Sequence, residues 1–444
     1  MLRTVVIGAG PAGLFTAIAL ARRGRDVVVV DRDGGPSPAP PYGWDRKGVM
    51  QFHHAHTFRG QVVDALEIEM PDVLRRLVAC GASVAIAAGS ARPAALLTRR
   101  ILFERVLRRT AAVEPGITLV AGHVDQVVLE QGRAVGIRVG GRTLRAELVI
   151  DASGRAGRVT SKIRLPPVVH PCGAAYVSRQ YQLREDAEAG PVNSPAGLSL
   201  GLTRYSAIAF QHDNRTFSVV LIYDGADRRL RDLRHAMVFE AAVNAIPALS
   251  DWVDPGRSEA ITNVLPGGKL YNTYRGQLAK SGRPAALGLI SIGDSVCTTT
   301  PLAGRGVAMA LMQARALVRV LDDHGSDYHS CTIAFDRWCF DNVKPWFDDH
   351  TRADTERLRR WAGEDVDLTR SLPSDLIVAA AEAHPKLRSL VAPYTTMDAL
   401  PASLSKVEAH ARRIYASGWR PAVPAGPDVD DLAELCARQR LATV

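Results

Sequence analysis

The chain has 444 residues, 47% hydrophobic and 23% charged, with a formal net charge of +9. This length exceeds one ordinary core and predicts two or three packed units, while the ordinary apolar-to-charged balance excludes a disordered or fibrous protein. The charge is arginine spread along the whole chain without a block of five or more like residues, which argues against a nucleic-acid partner.

Residues 3–7 (RTVVI) read as a short buried strand. GAGPAG follows, with Gly8, Gly10 and Gly13, and then helical spacing over 12–23 with Leu14, Ala17, Ile18 and Ala21 on one side. Gly24 ends that helix, and DVVVV (26–30) is a second strand closed by Asp31 and Arg32. Asp31 stands eighteen positions after Gly13, near the ~20 expected of an acid that grips ribose hydroxyls. The three glycines answer separate backbone demands. Gly8 makes the tight turn, Gly10 admits a pyrophosphate to the backbone, and Gly13 lets helix and strand pack closely. The helix N-terminus favours the anion. Gly8, Gly10, Pro11, Ala12, Gly13, Asp31 and Arg32 are therefore the expected dinucleotide contacts. The stretch 4–20 is apolar like a signal peptide but lacks a charged leader and a small-residue cleavage site.

QFHHAHTFRG (51–60) carries three of the twelve histidines. No carboxylate or thiol stands near enough to complete a site, so no metal is expected. His53, His54 and His56 are candidates for a cleft, against the plainer reading that they cap or pack a helix. LTRRILFERVL (97–107) reads as a helix entered at Arg99 and Arg100, which ordinary solvation of a helix start also explains. Residues 122–154 read as strands with glycine turns, ending in an apolar strand and DASGRAG. Strand patterns recur at 174–183, 198–210 and 216–223, with HDNR (212–215) as a turn. A helix near 233–246 and a strand around Leu270–Tyr274 follow. LGLISIGDSV then runs into Gly293-Asp294, Pro301 and Gly304-Arg305-Gly306 ahead of a helix from 307 to about 321. Residues 328–420 read as helical, punctuated by Pro345, Pro373, Pro385 and Pro401, and a polar helix spans about 428–440. The six cysteines show neither CxxC nor zinc spacing and predict reduced thiols in a reducing, cytoplasmic setting. No run of eighteen apolar residues predicts a membrane span.

The GD, P, GxG series together with the first glycine motif resembles the glutathione-reductase-type FAD enzymes related to p-hydroxybenzoate hydroxylase. The resemblance covers about residues 1–165 and 285–322. It implies an α/β fold (α+β overall): a Rossmann-type FAD-binding domain in two parts, 1–165 and 285–327. An antiparallel substrate-binding sheet (166–284) is inserted between them, and a helical C-terminal region (328–444) follows. It also implies that Gly293 and Asp294 hold the ribityl chain, with Pro301, Gly304, Gly306 and Val307 facing the flavin pyrimidine edge. Arg100 is placed near the phosphate or ribityl region, and Val124 beside adenine. His53 and His56, after the Pro-rich loop at 34–48, and Tyr176, Phe210 and Tyr223 on the sheet are the implied substrate-side residues, with Arg179 and Tyr181 as further sheet candidates. For each, sheet packing is the alternative.

The activity implied is that of an FAD-dependent monooxygenase, in which a flavin C4a-hydroperoxide hydroxylates or epoxidises an apolar small molecule, such as a natural-product intermediate, with O2 as co-substrate. No catalytic side chain is singled out. Where the hydroxylases carry Asp-Gly, this chain has Ser153-Gly154 within DASGR, a form more similar to the polyether-type and squalene-type epoxidases. With no second GxGxxG unit, this leaves NAD(P)H or a separate flavin reductase as the electron source. A halogenase or an isoprenoid reductase or dehydrogenase shares the fold, but the WxWxIP and YxWxFP motifs are absent. A protein that keeps FAD only as structure is a further alternative.

Overall fold

The computed structural model describes residues 3–36, 44–87, 89 and 91–441. Residues 37–43 of the Pro-rich loop lie outside the described residues. A five-stranded parallel sheet is ordered Leu289–Ser291, Leu148–Asp151, Arg3–Ile7, Asp26–Asp31, Ile117–Ala121. Its register sets Val5 opposite Val28 on one side and Val149 on the other. The central strands are continuous valine and isoleucine because both faces are covered. Val5, Ile7, Val28 and Val30 pack under the antiparallel strands Val124–Glu130, Arg133–Val139 and Arg142–Arg145. Val6, Val27 and Val29 face the helices Pro11–Ala21, Arg100–Val113 and Gly306–His324. Every residue of Pro11–Ala21 is buried, since it lies between the sheet and two helices. Its proline occupies the first turn, where no intrahelical N–H is needed.

The second sheet is antiparallel, in the order Gly197–Leu202, Tyr205–Gln211, Thr216–Asp224, Ala174–Leu183, Ser258–Ala260. The single strand expected over 198–210 is two strands, because Arg204, at φ +66°, turns the chain back without a glycine. The HDNR turn is present, with Asn214 and Arg215 both at positive φ. Tyr271–Tyr274 leaves this sheet and pairs instead with Val168–Pro171 and Cys297–Thr298.

Helices between Tyr328 and Ala416 pack through Phe335, Trp346, Tyr394 and Tyr415 onto the same core as the Rossmann helices. The last helix, Val429–Leu441, does not join them. Val429, Leu432, Ala433 and Cys436 instead cover the back of the antiparallel sheet beside Leu230, Phe239 and Trp252. The helices of the C-terminal region expected over 328–444 thus pack, among the described residues, on two cores.

Candidate active site

A cleft opens where the parallel strands end. The strand Arg3–Ile7 turns at Gly8, whose φ is +102° and whose added Cβ would stand 2.4 Å from the Ala152 carbonyl oxygen. A Cβ on Gly13 would meet the Gly8 carbonyl oxygen at 2.0 Å, so Gly13 packs inside the turn and does not line the cleft. A Cβ on Gly10 would meet nothing within 4 Å. No side chain caps the helix that begins here, which leaves its first N–H groups for an anion.

Asp31 lies beside this turn, accepting from the Ala9 N–H at 2.5 Å and the Asp33 N–H at 2.8 Å. Its partner is Arg46, a residue the motif reading missed. Arg46 is 3% exposed and binds Asp31 at 2.7 Å, Asp33 at 3.2 Å, Glu104 at 2.5 Å and the Ala9 carbonyl at 3.0 Å. Burial opposes the Arg46 charge, but Glu104 and Asp31 outweigh it and raise its pKa. The other Glu104 oxygen accepts from Arg100, whose guanidinium also reaches His56 at 3.2 Å. Neither Arg99 nor Arg100 is a solvated helix start: Arg99 is buried against Asp213, and Arg100 lines the cleft. On the far side of Asp31 the groove continues past Arg32, Val124 and Lys162. Gly48 makes room there, since its Cβ would sit 2.0 Å from the Arg32 guanidinium.

The other end of the cleft is built by the strand Leu289–Ser291 and the turns after it. Asp151 accepts from the Ser153 hydroxyl at 2.5 Å and the Thr160 hydroxyl at 2.8 Å, fixing the DASGR loop. A side chain on Gly157 would collide with that Ser153 hydroxyl. Gly293, at φ +64°, donates its N–H to Gln313 at 3.0 Å and lies against Ala12. Asp294 follows. Its carboxylate lines the cleft with no hydrogen-bond donor among the described residues. Burial pushes its pKa up, and Arg100 and Arg155 pull it back. Thr298–Thr300 and Pro301 form the next wall, held because Asn272 accepts the Thr300 N–H at 2.6 Å and donates to Asp354 at 2.7 Å. Gly304 turns at φ +60° over Thr57, and a Cβ on Gly306 would meet nothing within 4 Å. The helix Gly306–His324 starts there without a side-chain cap, and Val307 lines the cleft.

Beyond these turns the antiparallel sheet closes the cleft with one face. Strand register puts Tyr176 opposite Ile222, Ser178 opposite Val220, and Ile208 opposite Val220 on the other side. Tyr176, Ile208, Phe210, Val220, Ile222 and Leu270 line an apolar chamber. Burial pushes the Tyr176 hydroxyl up to about 12. His54 stacks edge-on against Tyr176, with ring centroids 4.8 Å apart, and meets the Ser178 hydroxyl at 2.7 Å. Burial, then His53, lowers its pKa to about 4. His56 lines the cleft as a neutral ring: Arg100 can only donate to its Nε2, so Nδ1 carries the proton given to the His54 carbonyl at 2.9 Å.

Two expected substrate-side residues lie elsewhere. His53 faces outward to Asp45 at 3.4 Å. Tyr223 pairs with Ala175 on the opposite face of the sheet and is buried in the core under the last helix. Tyr181 and Arg179 share that face and reach Glu240.

Residues 4–160 match the family model described as FAD dependent oxidoreductase. That match, over the dinucleotide-binding part of the chain, supports an enzyme that uses FAD. This flavoprotein is 23% identical over 344 residues to the FAD-dependent monooxygenase atnJ of Arthrinium sp, covering 72% of this chain and 76% of that protein. It is 24% identical over 356 residues to violacein synthase of Chromobacterium violaceum, covering 74% and 79%. Its fold matches the flavin-dependent brominase Bmp2 with a TM-score of 0.68 at 15% identity, over 94% of this chain and 98% of that one. The residues present fit FAD: an open cradle at Gly10 before an uncapped helix, a cleft carboxylate at Asp294 lacking a donor, and a second uncapped helix start at Gly306. Among the described residues no cluster could hold a metal ion, and no helix is long and apolar enough to cross a membrane. All six cysteines are free thiols.

Proposed function

We propose that this flavoprotein is a monooxygenase that inserts one oxygen atom of O2 into an apolar small molecule, by hydroxylation or epoxidation. The observation that carries this is the chamber lined by Tyr176, Ile208, Phe210, Val220, Ile222 and Leu270, continuous with the cleft that ends at Asp294 and Gly304–Val307. The chemistry supplied by bound FAD is activation of O2 for transfer to a substrate.

The chain's own residues bind and orient. Gly10, Pro11, Ala12 and the helix start would hold the pyrophosphate, with Arg46 and Arg100 fixed nearby by Asp31, Asp33 and Glu104. Arg32 and Val124 would flank the adenosine, and Asp294 would accept from the ribityl hydroxyls. The N–H groups at Gly306 and Val307 would face the pyrimidine edge, where reduction leaves negative charge. The apolar face of the sheet excludes water from the reacting centre. FAD-dependent halogenation is the second reading, since the brominase shares the fold.

Electron supply follows from the DASGR loop. Ser153 stands where the hydroxylases carry an acid, and Asp151 holds its hydroxyl inward. NAD(P)H alone is expected to reduce the flavin slowly, and a reductase or the true substrate to speed it. Anaerobic stopped-flow reduction reads this directly, and fast bleaching by NADPH alone contradicts it. The decisive test of function is a screen of aromatic and alkene substrates under isotopically labelled O2. Incorporation of one labelled atom is expected; substrate-coupled turnover without incorporation, or with halide incorporation, refutes the proposal.

A further inference from the structure

Arg305 stands between the two glycines of the turn that begins the Gly306–His324 helix, and it is 5% exposed. The C-terminal helical layer encloses its guanidinium. The rings of Trp346 and Tyr394 each lie 4.5 Å from its central carbon. Its Nη1 donates to His350 Nε2 at 2.8 Å and to the Tyr394 hydroxyl at 3.0 Å. Tyr394 in turn donates to Asp349 at 2.7 Å, whose carboxylate stands 3.7 Å from Arg305. Because arginine only donates, His350 must accept as a neutral ring, and burial, then Arg305, holds its pKa well below the ordinary value. His350 therefore adds no charge of its own.

A second guanidinium lies under the same turn. Arg59 donates to the Ala303 carbonyl at 2.7 Å and to Thr395 at 2.9 Å. Burial, then the repulsion of Arg305, pushes its pKa down to about 10. Arg305 is thus buried and Arg59 half-buried against Ala303–Gly306, with Asp349 beside Arg305. Aromatic faces and two neutral acceptors hold the Arg305 charge, and Asp349 at 3.7 Å offsets part of it.

We infer that the C-terminal helical layer sets the reduction potential of the bound flavin by clamping Arg305, with Arg59 beneath it, at the turn that faces the flavin. This rests on the reading that Gly304–Val307 meets the pyrimidine edge. A cation fixed there favours the reduced, negatively charged flavin over the oxidised one, and a rigid turn keeps that preference without reorganisation. Arg305 is a positioning residue here: it acts on the cofactor's electronics rather than on the reacting atoms.

The test is the two-electron midpoint potential of the FAD-loaded full chain, with FAD affinity measured alongside. Arg305→Met is expected to lower the reduced-to-oxidised ratio at fixed potential about tenfold, ~30 mV for a two-electron couple. Arg305→Lys restores most of the shift, and Trp346→Leu, which loosens the cage but keeps the cation, falls between. Should Arg305→Met fail to fold, Arg59→Met carries the same prediction with a smaller shift, and an unmoved potential there overturns the inference. An FAD-loaded Arg305→Met with the wild-type potential overturns it alone. A wild-type chain that takes up no FAD removes the functional reading as well.

Discussion

Gly10 and Gly13 stand three residues apart, yet substitution separates what they do. Gly10 has an ordinary φ of −82° and open space where a Cβ would go. Gly10→Val is therefore expected to fold with a near wild-type Tm and to lose FAD, read by thermal melting and by cofactor content. Gly13→Ala puts a methyl 2.0 Å from a backbone oxygen, and is expected to cost 1–3 kcal/mol or more through overpacking, by roughly the scale of crowded cores. Asp294→Ala removes an acceptor that no donor among the described residues satisfies. It is expected to weaken FAD binding about 10- to 100-fold, equivalent to one or two hydrogen bonds, with the apo-protein Tm unchanged. An unaltered dissociation constant on reconstitution sinks the assignment of that carboxylate. The two glycines were legible because each follows from local backbone demands in a short motif, whereas Asp294 was singled out by the resemblance of the GD, P, GxG series. Arg46 and Glu104 were not. Their contact joins residues far apart in the chain, and no local spacing announces it.

At the scale of the strand, alternation was legible but its sense was not. The pattern at 174–183 shows that odd and even residues face different ways. Which set meets the cleft is decided by what packs on the other face, namely the helices Ala236–Asn244 and Pro247–Val253 and the last helix. Tyr176 and Phe210 therefore reach the chamber, whereas Tyr223 is core. Phe210→Ala is expected to raise the substrate KM by tenfold or more while shifting Tm little, by roughly the loss of one partly buried aromatic contact. Tyr223→Ala is expected to do the reverse, costing about 3 kcal/mol or more in stability with KM retained. Denaturant melts paired with steady-state kinetics separate the two, and a matching effect at both positions contradicts the parity. The hairpin at Arg204 escaped sequence reading because the turn contains no glycine, proline or asparagine.

Across the whole molecule, buried neutral histidines link stability to pH. Burial lowers His54 and His212 to about 4, and His56 and His350 also lie well below the ordinary value. Unfolded, each binds a proton near pH 6.5; folded, each resists it. Below that pH the unfolded chain binds more protons, so stability is fully present above about pH 6.5 and is lost as the pH falls toward about 4. His54 alone carries at most about 3 kcal/mol of this. A thermal midpoint that falls over that window is expected, and one that holds steady contradicts the burial of neutral rings. The division of the C-terminal region bears on synthesis. The last helix covers the back of the antiparallel sheet, yet it is made some two hundred residues after the strands it covers. While the chain is being translated, Leu230, Phe239 and their neighbours must wait with an apolar face open to water. This half of the protein can reach its final packing only after that helix has been made, and a chaperone that shields apolar surface has its longest opportunity in the interval.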